Sequence, residues 1–332
     1  MTPDPAFAAF WRRALAANPD NNEPPASPEV VEALAPFLGR PLARHLAGLD
    51  VDVDPEEAAY RRLMFSRHGQ VIAELRHDGL DVLPIKGWAV AGRLYTPGWV
   101  RTIGDLDLLL RPDGLASAVN WFQSHGYRLL ASSQSWLGVT SDISFHPLVS
   151  ADGVVQVDLH IAPDAFPLSR ALSAEAVFRD AVTVNGPPAA HTTHTAVIAV
   201  SNLAKERFAP RALRQLIDLG RLAAMEPIDW AGVSRLARAA GLHLALNTAT
   251  GALRQLGTAP ERLPATSPGP GIALARRLLA GRLEPLSAPN KLWREAVWCY
   301  APATLAAIWA RRITGLLAPR SGDPRGSAPI ET

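Results

Sequence analysis

Alternating or continuous short apolar runs are concentrated in residues 81–161 of the chain, and helical spacing governs most of the rest. Residues 1–26 read as a short helix followed by a Pro/Asn-rich linker at 18–27. Ser27-Pro28-Glu29 opens another helix, with Ser27 at the N-cap and Pro28 in the first turn. A longer helix opens at Asp54-Pro55-Glu56-Glu57, where Asp54 can cap and Glu57 can reach back. It runs to Asp78, and Gly79 stops it. The middle of the chain then predicts strand 81–85, helix 88–96, strand 105–110 and helix 114–125, the last capped by Asp113 and ended by Gly126. Strand 127–132 follows, then a hairpin of 141–149 and 154–161 that turns on Asp152-Gly153.

From about residue 192 the apolar positions recur at helical spacing in 194–208, 210–225, 229–240 and 242–256. Pro210, Pro227, Gly241 and Gly257 mark the boundaries. A Pro/Gly linker at 264–271 precedes two basic-aromatic helices near 272–282 and 290–316. Mixed strands with interleaved helices predict an α+β fold: a mixed β-sheet flanked by helices, followed by a helical bundle. The expected units are an N-terminal helical segment and linker (1–53), a sheet domain (54–190), a helical domain (191–318) and a disordered tail (319–332).

The densest chemistry lies in Thr102-Ile103-Gly104-Asp105-Leu106-Asp107-Leu108-Leu109-Leu110. Residues two apart on a strand face the same way, so Asp105 and Asp107 project together beside an apolar core. Two adjacent carboxylates near a core need a compensating cation, and Mg²⁺ prefers carboxylate and phosphate oxygens. Taken alone, such a pair also fits a solvated strand end. Upstream, a short strand ends at Lys86-Gly87, where a helix start favours anions and Lys86 adds a point charge. Downstream, Gln156, Asp158 and His160 share one strand face, making Asp158 a third carboxylate. His146 sits on the neighbouring hairpin strand, but its register is not readable.

This ordered set resembles the nucleotidyltransferase superfamily that includes DNA polymerase beta and aminoglycoside nucleotidyltransferases. The nearer resemblance, over about residues 60 to 257, is to a family of largely uncharacterised bacterial nucleotidyltransferase-like proteins. It rests on Lys86-Gly87, Tyr95, Arg101, Asp105-Leu106-Asp107 and Asp158-Leu159-His160, with Arg214-Gln215-Leu216-Ile217-Asp218-Leu219 resembling a helix motif of that family. The position where the family often has His is Asn202 here. The resemblance implies that Asp105, Asp107 and Asp158 are catalytic and hold one or two Mg²⁺ ions, with Asp158 completing the second metal site or acting as general base. It further implies that Lys86, Gly87, Arg101 and His160 serve a nucleotide donor, an NTP such as ATP, and that Asp218 can approach the site. A small molecule or a peptide is the expected acceptor, since relatives accompany ribosomally made peptide pathways.

Superfamily turns usually read Gly-Gly or Gly-Ser, whereas this chain has Gly87-Trp88, and the stretch from Gly87 to Asp105 is long. A transferase using a nucleotide sugar or another phosphate-bearing donor therefore stays open. Trp88 either stacks on a base or sugar, or packs into the core. A non-catalytic nucleotide-binding regulator is the third reading, and the presence of all three carboxylates argues against it.

Composition narrows these options. The chain has 332 residues, 48% of them apolar and 19% charged, enough for a large core. A net charge of +2 and the lack of a dense basic-aromatic patch in the sheet region argue against bulk nucleic-acid binding. One cysteine, Cys299, excludes an internal disulfide and reads as a buried small hydrophobe. Residues 1–20 carry acids and no apolar core of a secretory signal, and the longest apolar window, 296–310, contains Pro302. A cytoplasmic protein without a membrane span is the expectation. Trp293, Trp298, Tyr300 and Trp309, beside Arg294, Arg311 and Arg312, read as a core-facing stripe, with an interfacial or partner-binding face as the alternative.

Overall fold

The computed structural model describes residues 3–17, 24–51, 54–130, 145, 147–183, 187–265 and 269–317. The chain starts with α1 (Pro5–Leu15), α2 (Pro28–Leu38), α3 (Arg40–Ala47) and the long α4 (Pro55–His77). Asp54 caps α4 by accepting from the Glu57 N–H at 3.1 Å. The sheet region comprises β1 (Val82–Pro84), α5 (Lys86–Leu94), β2 (Leu106–Leu110), α6 (Leu115–Ser124), β3 (Arg128–Leu129), β4 (Leu148–Val149) and β5 (Gln156–His160). After it come α7 (Ala174–Arg179) and a small pair, β6 (Val182–Thr183) and β7 (Pro188–Ala189). The helical part contains α8 (Thr192–Lys205), α9 (Leu213–Met225), α10 (Trp230–Ala240), α11 (His243–Leu256), α12 (Gly269–Leu279), α13 (Ala288–Arg294) and α14 (Pro302–Leu317).

The main sheet has the order β1-β2-β5-β4-β3. β2 and β5 run parallel, and the other neighbours run antiparallel. Strand periodicity decides what each face carries. Leu106, Leu108, Leu110, Val157 and Leu159 pack with Val71, Ile72 and Leu75 of α4 and Phe122 of α6. Leu83, Ile85 and Leu109 point the other way, into a second core that includes Leu216 and Leu219 of α9. Asp107, Asp158 and His160 share that second face, between sheet and helices. α4 therefore packs on the sheet rather than forming a separate lobe.

Phe10, Trp11 and Leu15 of α1 join the same core as α9 and α11. α11 and α12 meet closely at Gly251 and Gly271, where a Cβ on Gly271 would lie 2.7 Å from the facing backbone. Among the described residues no helix is long and apolar enough to cross a membrane.

Several boundaries differ from the pattern. Helix α5 begins at Lys86, not at 88, and β2 begins at Leu106, leaving Asp105 in the bend before it. Asp113 does not cap α6: it lies inside a short 3₁₀ turn, Pro112–Gly114, that Pro112 initiates. Ser27 sits at the N-cap of α2 without a capping hydrogen bond. The expected helix 290–316 is broken by a π-helical turn, Glu295–Cys299, and restarts at Pro302. Its aromatic stripe divides: Trp298 and Tyr300 are buried, as is Cys299, while Trp293 is 53% and Trp309 38% exposed. Residues 141–144, His146 and the 319–332 tail lie outside the described residues. Phe145 still donates its N–H to Leu159 O at 2.8 Å, beside the hairpin of β4 and β5.

Candidate active site

The turn from β1 to α5 sets the first group. Ile85 donates its N–H to Asp107 O at 3.0 Å, which ties the turn to β2. Lys86 then takes a left-handed backbone with φ of 55°, unusual for a residue with a Cβ. Its ammonium reaches Asp107 Oδ1 at 2.7 Å. Gly87 follows at the start of α5, where the first N–H groups have no helical acceptor. A Cβ on Gly87 would meet only Ile103 Cγ2 within 4 Å, at 3.6 Å, so the turn is open on its cavity side.

The second group comes from the parallel pairing of β2 with β5. Asp107 lies opposite Asp158, and Leu109 opposite His160. Adjacent strands are about 4.8 Å apart, so the two carboxylates stand side by side. His160 Nε2 is 2.8 Å from Asp107 Oδ1 and donates to it when protonated at that nitrogen. One ligand atom from each of Asp107, Asp158 and His160 lies within 4.8 Å of the others. Asp158 Oδ1 and His160 Nδ1 are buried without a hydrogen-bond partner. Asp105 flanks this group from the bend before β2 and lines the same cavity.

The electrostatics divide the three acids. Burial, together with the charges of Asp107 and Asp158, pushes Asp105 up to about 6. Burial alone would raise Asp107 too, but the Lys86 ammonium and the His160 contact outweigh it and hold Asp107 down at about 2. Asp158 is raised, first by burial and then by the charge of Asp107. Burial would depress Lys86, yet Asp107, Asp164 and Asp105 keep it above its ordinary value. Among the described residues Lys86 acts on all three clustered carboxylates, and the two raised ones mark an excess of negative charge. Carboxylate oxygens at that density, one of them unclaimed, form a donor set suited to a hard divalent ion.

A cavity of about 270 Å³ opens over these groups. Its sheet side carries Lys86, Gly87, Asp105, Asp107 and Asp158, and its helical side carries Thr195, Ile198 and Asn202 of α8 with Arg214, Gln215 and Asp218 of α9. Arg101 also lines it, but its guanidinium is engaged by Asp218, with Nη2 2.6 Å and Nε 3.0 Å from the carboxylate oxygens. Tyr95 donates its hydroxyl to the same Asp218 at 2.7 Å. The Tyr95–Arg101–Asp218 cluster is buried and joins the loop before β2 to α9. Trp88 is half-buried and packs against the core: its ring stacks on Phe65 at 5.7 Å and its indole N–H donates to Phe65 O.

The cavity thus gathers Lys86, Gly87, Arg101, Asp105, Asp107 and Asp158, with His160 against Asp107 just behind. Sequence reasoning did not single out Gln215 or Thr195, nor assign a role to Arg214. Helical spacing from Asp218 offered a signal for Arg214, which lies one turn earlier on the same side. Asp164 was also missed: it is buried, pairs with Lys205 at 2.6 Å, and acts on Lys86. It follows β5 in an irregular stretch that carries no periodic signal.

A family model described as an uncharacterised nucleotidyltransferase matches residues 34–257, well over half of the chain. No curated protein matches it.

Proposed function

The chain belongs to this family of uncharacterised nucleotidyltransferases, and from that premise we propose that it transfers a nucleotidyl group from an NTP, ATP in the first instance, to a hydroxyl of a small-molecule or peptide acceptor. The observation that carries this reading is the Asp107–Asp158 pair on parallel strands, with an unclaimed Asp158 oxygen facing the cavity side of the sheet. Asp105, Asp107 and Asp158 would hold one or two Mg²⁺ ions, and His160 would fix the orientation of Asp107. Bound Mg²⁺ supplies charge neutralisation on the donor phosphates.

The chain's own groups do the rest. Asp158 would complete the second metal site or, where the ion sits on Asp105 and Asp107, accept the proton of the acceptor hydroxyl. The acceptor oxygen forms a bond to the α-phosphorus, the bond to the bridging oxygen breaks, and pyrophosphate leaves. The N–H groups of the first turn of α5, Gly87 among them, donate to phosphate oxygens. Lys86 exchanges Asp107 for a donor phosphate once Asp107 has another counter-charge. Arg101, committed to Asp218, keeps α9 against the cavity rather than binding the donor. Trp88 lies against Phe65, so the turn gives no particular support to a nucleotide-sugar donor.

The test is a panel of NTPs and nucleotide sugars with Mg²⁺, scored by pyrophosphate release and by the intact mass of candidate acceptors. Release of pyrophosphate with a nucleotidyl mass gain supports the reading. Turnover of nucleotide sugars alone contradicts it.

A further inference from the structure

Among the described residues, the buried and half-buried cations around the cavity have partners, with one exception. Arg93 pairs with Glu226 and Thr192, Arg101 with Asp218, and Lys205 with Asp164. Arg221 donates to the carbonyls of Leu94, Ala14 and Ala16. Arg214 differs. Among the described residues it forms no ion pair, its only hydrogen bond is a long one from Nη1 to Thr102 O at 3.3 Å, and its Nε is buried without a partner. It stands in the cavity wall on the first turn of α9. Beside it, Gln215 Oε1 is likewise buried in that wall without a donor.

A guanidinium removed from water without an acid is costly. Arg101 lies near and adds repulsion, and burial together with that charge lowers Arg214 from its ordinary value. The charges of Asp218 and Asp105 offset this only in part, and neither carboxylate pairs with Arg214 among the described residues, so an anion entering the cavity would complete its compensation.

We infer that Arg214 binds a phosphate group of the donor, as an anion-binding arm supplied by the helical wall opposite Lys86. The inference rests on the nucleotidyltransferase reading above. The geometry supports a preformed arm. Arg101 Nη1 donates to the same Thr102 carbonyl at 2.5 Å, and Arg101 also grips Asp218 one turn along α9. Loop and helix are therefore held as one unit, which fixes where Arg214 leaves α9. A phosphate group matches the planar fork of an arginine. Lys86, which lines the same cavity, is held by Asp107 until that acid has another counter-charge. The unpartnered Gln215 carbonyl can accept from a hydroxyl or amine of the same ligand.

The test compares full-length wild type, Arg214→Gln and Arg214→Lys by calorimetric titration with Mg²⁺ plus inorganic tripolyphosphate, the NTP identified by turnover, or its nucleoside. Arg214→Gln should weaken tripolyphosphate and NTP binding by about 10- to 100-fold, with nucleoside binding unchanged. Arg214→Lys should recover part of the loss. The Gln variant should melt no lower than wild type, because no internal ion pair is lost, whereas a structural role would lower Tm. Unchanged tripolyphosphate and NTP binding in Arg214→Gln would overturn the inference, and a raised acceptor KM alone would assign Arg214 to an acceptor carboxylate instead. If wild type itself binds no phosphate compound, the nucleotidyltransferase reading fails and this inference with it.

Discussion

Lys86 Nζ lies 2.7 Å from Asp107 Oδ1, and the lysine adopts a left-handed backbone to reach it. The contact links the β1–α5 turn to the acid of β2 that stands beside Asp158. Without another cation, Lys86 is the main counter-charge of the acidic cluster. With one, the proposed function has Lys86 turn to the donor.

Removing that ammonium should therefore destabilise the protein in a way that divalent ions correct. Lys86→Met leaves a buried carboxylate without its ammonium, a loss of up to about 3–5 kcal/mol. Thermal unfolding in EDTA should show a large drop in Tm, and millimolar Mg²⁺ should raise the variant's Tm more than that of wild type. Equal Mg²⁺ effects on both proteins would count against the counter-charge role.

Asp105 gives a pH prediction. Its folded value of about 6 stands above the ordinary 3.8, so on raising the pH the unfolded chain releases this proton first. Asp105 therefore removes stability as pH climbs from about 4 through 6, with the full loss present at neutral pH. In EDTA, Asp105→Asn should be more stable than wild type at pH 7.5, by on the order of 1–3 kcal/mol. The difference should disappear below about pH 4. Urea unfolding across that range checks both the sign and the window.

The buried Arg101–Asp218 pair predicts strong non-additivity. Asp218→Ala leaves Arg101 buried without its acid and Tyr95 without its acceptor, a cost of about 3–5 kcal/mol. Arg101→Met combined with Asp218→Leu should recover much of that stability, because no charge is then stranded. A double-mutant cycle by chemical denaturation measures the coupling. Additive losses would show that the pair does not act as one unit.

Much of the sheet side of the site was legible because strand and turn chemistry are local. The period of two places Asp107 on one face of its strand, and Asp158 with His160 on one face of theirs, and Lys86-Gly87 announces a strand-to-helix turn. The facing of Asp107 with Asp158 was not legible, because β2 and β5 are joined through α6, β3 and β4 and no local signal sets their register. Arg101 shows the same limit: its pairing with Asp218 depends on where α9 docks. Asp113 follows a proline that begins its turn early, so a plausible cap was displaced. The C-terminal aromatic stripe divided because the π-helical turn Glu295–Cys299 and then Pro302 interrupt its helix, leaving Trp293 and Trp309 exposed and Trp298 and Tyr300 in the core.

The central claim is that the paired acids of β2 and β5 support metal-assisted transfer, and Asp158→Asn tests it most directly. Asp158 is raised by its surroundings and has an unpartnered oxygen, so the substitution removes a charge without breaking an ion pair. Mg²⁺-dependent NTP turnover should be measured on wild type and Asp158→Asn side by side with their Tm. The account predicts a fall in turnover of at least about 100-fold with Tm unchanged or higher. Turnover near the wild-type rate in a folded Asp158→Asn would contradict it.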